Sequence, residues 1–231
     1  SLSIMRREGA AVMWKRWRLL EGTALYDLDG DPLQEDNVIE KHPEVAGKLL
    51  GALDEWWREV EPVANEVQRI IIGSDEENPM MLSACEWQDV FVDQQHQVRI
   101  GERKNGYWHL MVEQAGLYEF ELRRWPCESG LALDEACSAV TLTDGELQAG
   151  FALRIARARM MIARQEYAEP VEPSQTAVTI RVRLDPGPTM LHTWFDDERN
   201  QPICGAYYVY VSRLNTDEHN KADAGDASQR A

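Results

Sequence analysis

Along most of this chain the hydrophobic positions recur at every second residue, and only near the start do they change to steps of three and four. The alternation is sharpest where Tyr118, Phe120 and Leu122 interleave with Glu119, Glu121 and Arg123, and where Val178, Ile180, Val182 and Leu184 interleave with Thr179, Arg181 and Arg183. Each run predicts a strand with one apolar face. Further β-rich runs, bounded by Gly, Pro, Asn and Asp, lie at 67–72, 80–85, 107–113, 151–156, 159–165, 189–195 and 206–212. Strands at this density predict a mainly β fold, an antiparallel β-sandwich of jelly-roll-like character. Trp108, in step with Leu110 and Val112, belongs to its core.

Before residue 67 the period changes twice. Residues 12–20 read as one strand, Glu21-Gly22 as a turn and residues 24–28 as the returning strand of a hairpin. Asp29-Gly30-Asp31-Pro32 is a turn. Pro43 then suits the first position of a helix and Glu44 its positive end, while Val45, Leu49, Ala52, Leu53, Trp56 and Val60 form one apolar stripe. The adjacent Trp56 and Trp57 point different ways, one toward the sheet and one toward a neighbouring domain. The expected organisation is a small α+β segment at 1–66 with its helix at 43–61, a sandwich at 67–214 and a polar, disordered tail at 215–231. Ser1 to Arg7 opens with neither an initiator Met nor a secretory signal, so the sequence reads as a piece of a longer chain.

Composition narrows the function. The 231 residues carry 24 Lys+Arg against 40 Asp+Glu, a net charge of −16, with 44% hydrophobic residues. That is a globular chain, and its cations occur only in short clusters such as Lys15-Arg16 and Arg123-Arg124, which argues against nucleic acid as a partner. No apolar run approaches the ~18 residues of a membrane span. Cys85, Cys127, Cys137 and Cys204 form no C-x-x-C pair, leaving a Cys127–Cys137 bridge or free buried thiols. Asp27, Asp29 and Asp31 lack the glycine and glutamate of a calcium loop, since Pro32 and Val38 stand at those positions. The histidines never pair at ligand spacing, and no G-x-S-x-G elbow occurs. The sequence therefore predicts no catalytic residue, no metal site and no cofactor in this chain. For a ligand, the candidates are Trp87, in a loop after Cys85, and Trp125, which follows Arg123 and Arg124 at a strand end. An indole stacks on sugar rings, and guanidinium pairs with sulfate, but adjacent arginines face opposite sides, so only one shares the face of Trp125.

Two stretches resemble a known family. Trp17-Arg18-Leu19, Ala24-Leu25-Tyr26-Asp27-Leu28, Asp31-Pro32, Asn37-Val38, His42-Pro43-Glu44-Val45 and Leu53-x-x-Trp56-Trp57 resemble the C-terminal end of type I, formylglycine-dependent bacterial sulfatases (arylsulfatases). Ile72-Gly73-Ser74, Glu77-Asn78-Pro79, Asn105-Gly106-Tyr107-Trp108, the run from Ala115 to Pro126 and Gly205 to Val211 are similar to an accessory β-sandwich that follows some of their catalytic domains. The resemblance implies a parent that hydrolyses sulfate esters with formylglycine and calcium, in the periplasm or outside the cell. It also implies an upstream catalytic domain as partner of this chain. None of the four cysteines begins the C/S-x-P-x-R signature that formylglycine requires. The expectation is thus a non-catalytic C-terminal region with a structural and substrate-shaping role. The alternative is a stand-alone carbohydrate-binding sandwich that takes a sulfated or neutral glycan, and a third reading is an assembly domain.

Overall fold

The computed structural model describes residues 9–64 and 66–214, so the opening Ser1–Arg7 and the tail expected at 215–231 lie outside the described residues. The chain divides into two compact units, Ser1–Val67 and Gln68–Ala231.

In the first unit, β1 (Ala11–Trp14), β2 (Trp17–Leu20) and β3 (Ala24–Asp27) form one antiparallel sheet in that order. The stretch expected as a single strand folds back on itself at Lys15-Arg16, with Lys15 at φ 55°, and Trp14 pairs with Trp17. Two apolar residues on either side of a basic pair gave no turn signal of the Gly or Pro kind, which is why the sequence reading merged the strands. The register sets Val12 opposite Leu19 and Leu25 opposite Leu19 on the next strand, and Trp17, Leu19 and Leu25 are buried with Leu49 of α1 (Pro43–Ala64). The helix runs beyond the expected 61, with Pro62 in its last turn. Its first half buries Leu49 and Leu53, whereas Trp56 and Val63 stay 46% and 54% exposed.

The turn before α1 is held by side chains that imitate backbone. Asp31 accepts from the N–H groups of Glu35 and Asp36 at 3.0 and 2.9 Å, and those bonds hold its carboxyl below the usual carboxylate range. Asn37 Oδ1 accepts from Leu25 N and Ile39 N, its Nδ2 donates to the Thr23 carbonyl, and Val38 N donates to the Leu25 carbonyl. The loop therefore continues the edge of β3 without being a strand, and the N–H and C=O groups there are satisfied. The imidazole of His42 lies 4.8 Å from the Trp17 ring, closing the corner where the helix begins.

The second unit is an antiparallel β-sandwich. One sheet has the order β11 (Gln165–Pro170), β10 (Arg157–Ile162), β13 (Gly187–Asp196), β6 (Tyr107–Val112) and β4 (Ile70–Ile72), with β14 (Pro202–Cys204) pairing on β13. The other has the order β12 (Val178–Leu184), β7 (Gly116–Arg123), β15 (Tyr208–Leu214) and β5 (Met80–Ser83). The single exception to antiparallel pairing within these two sheets is β4 beside β6. Trp108, Leu110, Ala158, Met160, Leu191 and Phe195 of the first sheet and Tyr118, Phe120, Leu122, Ile180, Val209 and Val211 of the second share one core. A side hairpin, β8 (Val140–Leu142) and β9 (Gly145–Leu147), and a short helix, α2 (Gln95–Ile100), complete the unit.

Two of the strand expectations differ from this arrangement, and of the two readings for the cysteines the free thiols hold. Residues 151–156 form no strand, because Phe151 N and Leu153 N donate to the carbonyls of Arg99, in the last turn of α2, and Asp134, in a loop, instead of to a ladder. The run at 159–165 is not one strand but the heart of the β10–β11 hairpin, turning at Ala163-Arg164 with φ of 49° and 62°. The cysteines are all free, so Cys127 and Cys137 are not bridged. The helix α2 escaped notice because six residues carry too few turns for an apolar period to show.

Two glycines are required by one side chain. Trp87 packs edge-on to Trp108 at 5.7 Å and beside Tyr207 at 5.9 Å, and it fills the space that side chains on its neighbours would occupy. A Cβ on Gly106 would lie 2.5 Å from Trp87 Cβ, and one on Gly205 would lie 2.7 Å from Trp87 Cζ2. Gly106→Ala and Gly205→Ala are each expected to lower unfolding free energy by about 1–3 kcal/mol in chemical denaturation, since neither indole face has room to retreat. Gly145→Ala, with nothing within 4 Å of the added carbon, is the control and is expected to change little.

Candidate functional site

The sandwich withdraws the four ligand candidates read from the sequence. Trp87 is 4% exposed and Trp125 5% exposed, so neither offers an indole face to a sugar. Arg124 is fully buried: its guanidinium donates to the carbonyls of Glu135, Arg99 and Phe151 and lies 4.3 Å from the Trp125 ring. Burial pulls its pKa down, and no carboxylate bonds to it among the described residues. Trp125 Nε1 donates to the same Glu135 carbonyl, at 3.1 Å. These two residues staple the end of α2 and two loops together at one end of the sandwich, a structural task. Arg123 does point outward, as the alternation requires, but Glu121 Oε2 accepts from both its Nε and Nη2, at 3.0 and 2.9 Å, and the Tyr210 ring lies against it. The small cavity of about 210 Å3 beside Trp125 is lined by Val98, Pro126 and Leu131 together with Gln95, Arg99, Ser129 and Tyr208, and Arg99 there already donates to the carbonyls of Ser138 and Gln148.

A different surface has the required composition, the outer face of the sheet that contains β13. Outward residues of β13 are Met190, His192 and Trp194; their cross-strand neighbours are His109 and Tyr107 on β6 and Met161 and Arg159 on β10. The rings form a continuous row. His192 lies 4.0 Å from Trp194, Tyr107 lies 6.1 Å from His192, and His109 lies 5.3 Å from Tyr107. At one end of the row Arg159 stands 4.7 Å from the Trp194 ring. Its orientation is fixed by the buried Asp196, which accepts from Nε at 2.5 Å and Nη2 at 3.0 Å, and by Glu166, which accepts from Nη1 at 3.3 Å. The bonds to Asp196 raise the arginine pKa still further, so its charge is permanent.

At the other end of the row the face dips into a cavity of about 530 Å3. Met161, Pro188 and Met190 give it apolar walls, and His109, Thr189, Arg69 and Arg164 supply polar groups. Arg164 sits on the two-residue β10–β11 turn, where it and Ala163 hold left-handed backbone that glycine or asparagine adopts more readily. That conformation costs roughly 1 kcal/mol for each non-glycine residue. Arg164 is exposed and makes no ion pair among the described residues.

Both histidines of the face are held neutral. Burial lowers the pKa of His192, with Arg159 adding to the effect, and its Nε2 is buried with no hydrogen-bond partner. Burial lowers that of His109 too, helped by Arg69 and opposed by Asp89. Asp196 and Glu166 are engaged by Arg159, Asp89 acts on His109, and no group of three or more His, Cys, Asp or Glu side chains gathers among the described residues. Desolvation pushes the pKa of the deeply buried Cys204 thiol up to about 11.

Sequence reasoning missed this face although the signal was present. In 189–195 large residues occupy both parities of the strand, so both faces are apolar or aromatic, and a strand of that kind on the outside of a sheet has something to bind or to be covered by.

No family model and no curated protein matches the chain. Among solved structures it is similar to a ruminal GH26 endo-β-1,4-mannanase, with 11% identity and a TM-score of 0.31 over 60% of this chain and 26% of the mannanase. It is also similar to a family 35 carbohydrate binding module from Clostridium thermocellum, with 12% identity and a TM-score of 0.27 over 58% of this chain and 87% of the module. This chain therefore spans about a quarter of the mannanase's length, 26%. Likenesses this distant carry no argument about function, and the site is read from its own residues.

The two neutral histidines couple stability to pH. An unfolded chain takes up an imidazole proton near 6.5, whereas the folded sites resist it, so their contribution is fully present above that value and is lost as pH falls through it. Denaturant titrations between about pH 8 and pH 5 are expected to show wild type losing more stability than His192→Asn, with the difference opening below the free-histidine value.

Proposed function

We propose that the sandwich is a carbohydrate-binding domain and that the chain is a non-catalytic accessory region of a sulfatase-type hydrolase. One observation carries the first half: the cavity of about 530 Å3 on the outer face, apolar on its walls and polar around them, set on the central strands of a sheet. A pyranose has that same division, with a C–H face that packs on methionine and proline and a hydroxyl edge that pairs with His, Thr and Arg. The neighbouring rings of Tyr107, His192 and Trp194 keep the surface stiff, and stiffness reduces the ordering cost of binding. Arg159 engages Asp196 and Glu166, so these two carboxylates serve to fix the arginine beside the row of rings.

The test is a titration against a panel of polysaccharides followed by intrinsic tryptophan fluorescence and calorimetry. Wild type is expected to bind with Kd in roughly the micromolar-to-millimolar range. Met190→Glu, at a position 50% exposed and so tolerant of polarity, is expected to weaken binding about tenfold or more while the protein stays folded. Failure of every polysaccharide to bind, or equal binding by the variant, would overturn this half.

The second half rests on the sequence resemblance across 17–57 and on a feature of the first unit. The distal half of α1 leaves Trp56 and Val63 exposed on an apolar stripe whose first half is buried, as a segment completing a larger body would. On this reading the same coding sequence also encodes a C/S-x-P-x-R signature, and the chain by itself hydrolyses no aryl sulfate with or without calcium. Metal-dependent turnover of 4-nitrophenyl sulfate by the purified chain would place the chemistry here and refute the accessory role.

A further inference from the structure

Resting on the carbohydrate-binding reading above, we infer that the outer-face cavity selects acidic saccharides, with Arg164 holding the sulfate or carboxylate of the sugar. The chain carries a net charge of −16, and a protein so acidic repels polyanions at long range. At physiological salt that repulsion is screened within about 8 Å, so the groups lining the cavity decide what enters it. Those groups are two arginines and a histidine, with no Asp or Glu among them. Asp89, the carboxylate that acts on His109, does not line it.

The placement of Arg164 is the strongest part of the case. A two-residue hairpin of this geometry is best made by Asn-Gly, yet an arginine occupies the second position at φ 62°. The side chain so placed borders the cavity from the β10–β11 tip, while Arg69 approaches from the residue before β4, at the opposite side of the same concavity. The Arg164 guanidinium at the rim of an apolar depression gives planar, directional donors to an oxyanion whose sugar ring rests on Met161, Pro188 and Met190. Sulfate esters and uronate carboxylates share this chemistry.

Galactan, mannan and glucan oligosaccharides, each in neutral, O-sulfated and C6-oxidised form, distinguish the sources in calorimetric titrations. Sulfated or oxidised members are expected to bind about tenfold or more tightly than the neutral member of the same backbone; which of the two gains identifies the anion. Arg164→Gly is expected to remove that preference and to leave neutral binding within about twofold. Its thermal midpoint should be no lower than wild type, because glycine suits the left-handed turn, and a merely structural arginine would show the opposite. Arg183→Gln makes the same change of charge on the outer face of the other sheet and is expected to alter neither affinity. Neutral members binding as well as acidic ones, or Arg164→Gly keeping the preference, overturns the inference while carbohydrate binding stands. Absence of binding by every oligosaccharide overturns both.

Discussion

Successive side chains of a strand leave on opposite faces, and in β13 both faces carry large groups. Leu191, Thr193 and Phe195 enter the core, and Met190, His192 and Trp194 face outward from the same backbone. The strand is paired by β10 and β6 along its edges and by β14 at its end. A slip by one residue would exchange the two sets, bringing His192 into the core and exposing Phe195. The same burial that fixes the interior register therefore fixes the row of rings outside it. The row of rings rides on strands whose positions are set by the hydrophobic core, while Arg164 joins the site from the β10–β11 turn.

Two arginines show alternative ways of bringing a charge into this frame. Arg124 is buried and met only by the partial charges of carbonyls from α2 and two loops, and desolvation lowers its pKa. Arg159 is met by two full carboxylates and its pKa rises. Both lie beside a tryptophan, at 4.3 and 4.7 Å from the ring. From sequence alone the Arg-Arg-Trp run near a strand end looks like a ligand platform. What decides the matter is where the strand ends: Arg124 falls just beyond β7, where the chain turns over the end of the core and carbonyls need donors. Neither spacing nor composition reports that.

Legibility in the sequence followed the polarity of the faces. The sheet of β7 and β12 was plain because its outer residues, such as Glu119, Arg181 and Arg183, are charged and set off the apolar ones. The sheet of β13 gave the strands but hid the site, because Met190 and Trp194 blur the alternation that would have marked a face as exposed. Turns without Gly or Pro were lost as well: Lys15-Arg16 and Ala163-Arg164 reverse the chain with ordinary residues, of which Lys15, Ala163 and Arg164 are left-handed. In the second of these the lost turn and the lost site have one cause, an arginine standing where the turn alone would call for glycine. Glycines, by contrast, were informative for a reason not visible in the sequence, since Gly106 and Gly205 give way to the ring of Trp87 and not to a turn.

The first unit shows how far its own burial can carry it. Three strands of four residues and one helix enclose four large buried side chains, Trp17, Leu19, Leu25 and Leu49. A segment of this size buries too little to offset the entropy of ordering it, unless local hydrogen bonds or a larger body contribute. The hydrogen bonds are present in Asp31 and Asn37, which pin the loop to the sheet edge and set the start of α1. They act only on the N-terminal half of the helix. Beyond Leu53 the stripe continues through Trp56 and Val63 with nothing of the small sheet to meet it, because four-residue strands reach only about 13 Å while the helix extends about 33 Å. The mismatch in length follows from the strand and helix rises themselves. It leaves a ridge of aromatic and branched side chains whose burial is worth several kcal/mol, on the order of 2 for each large group, to any surface that covers it.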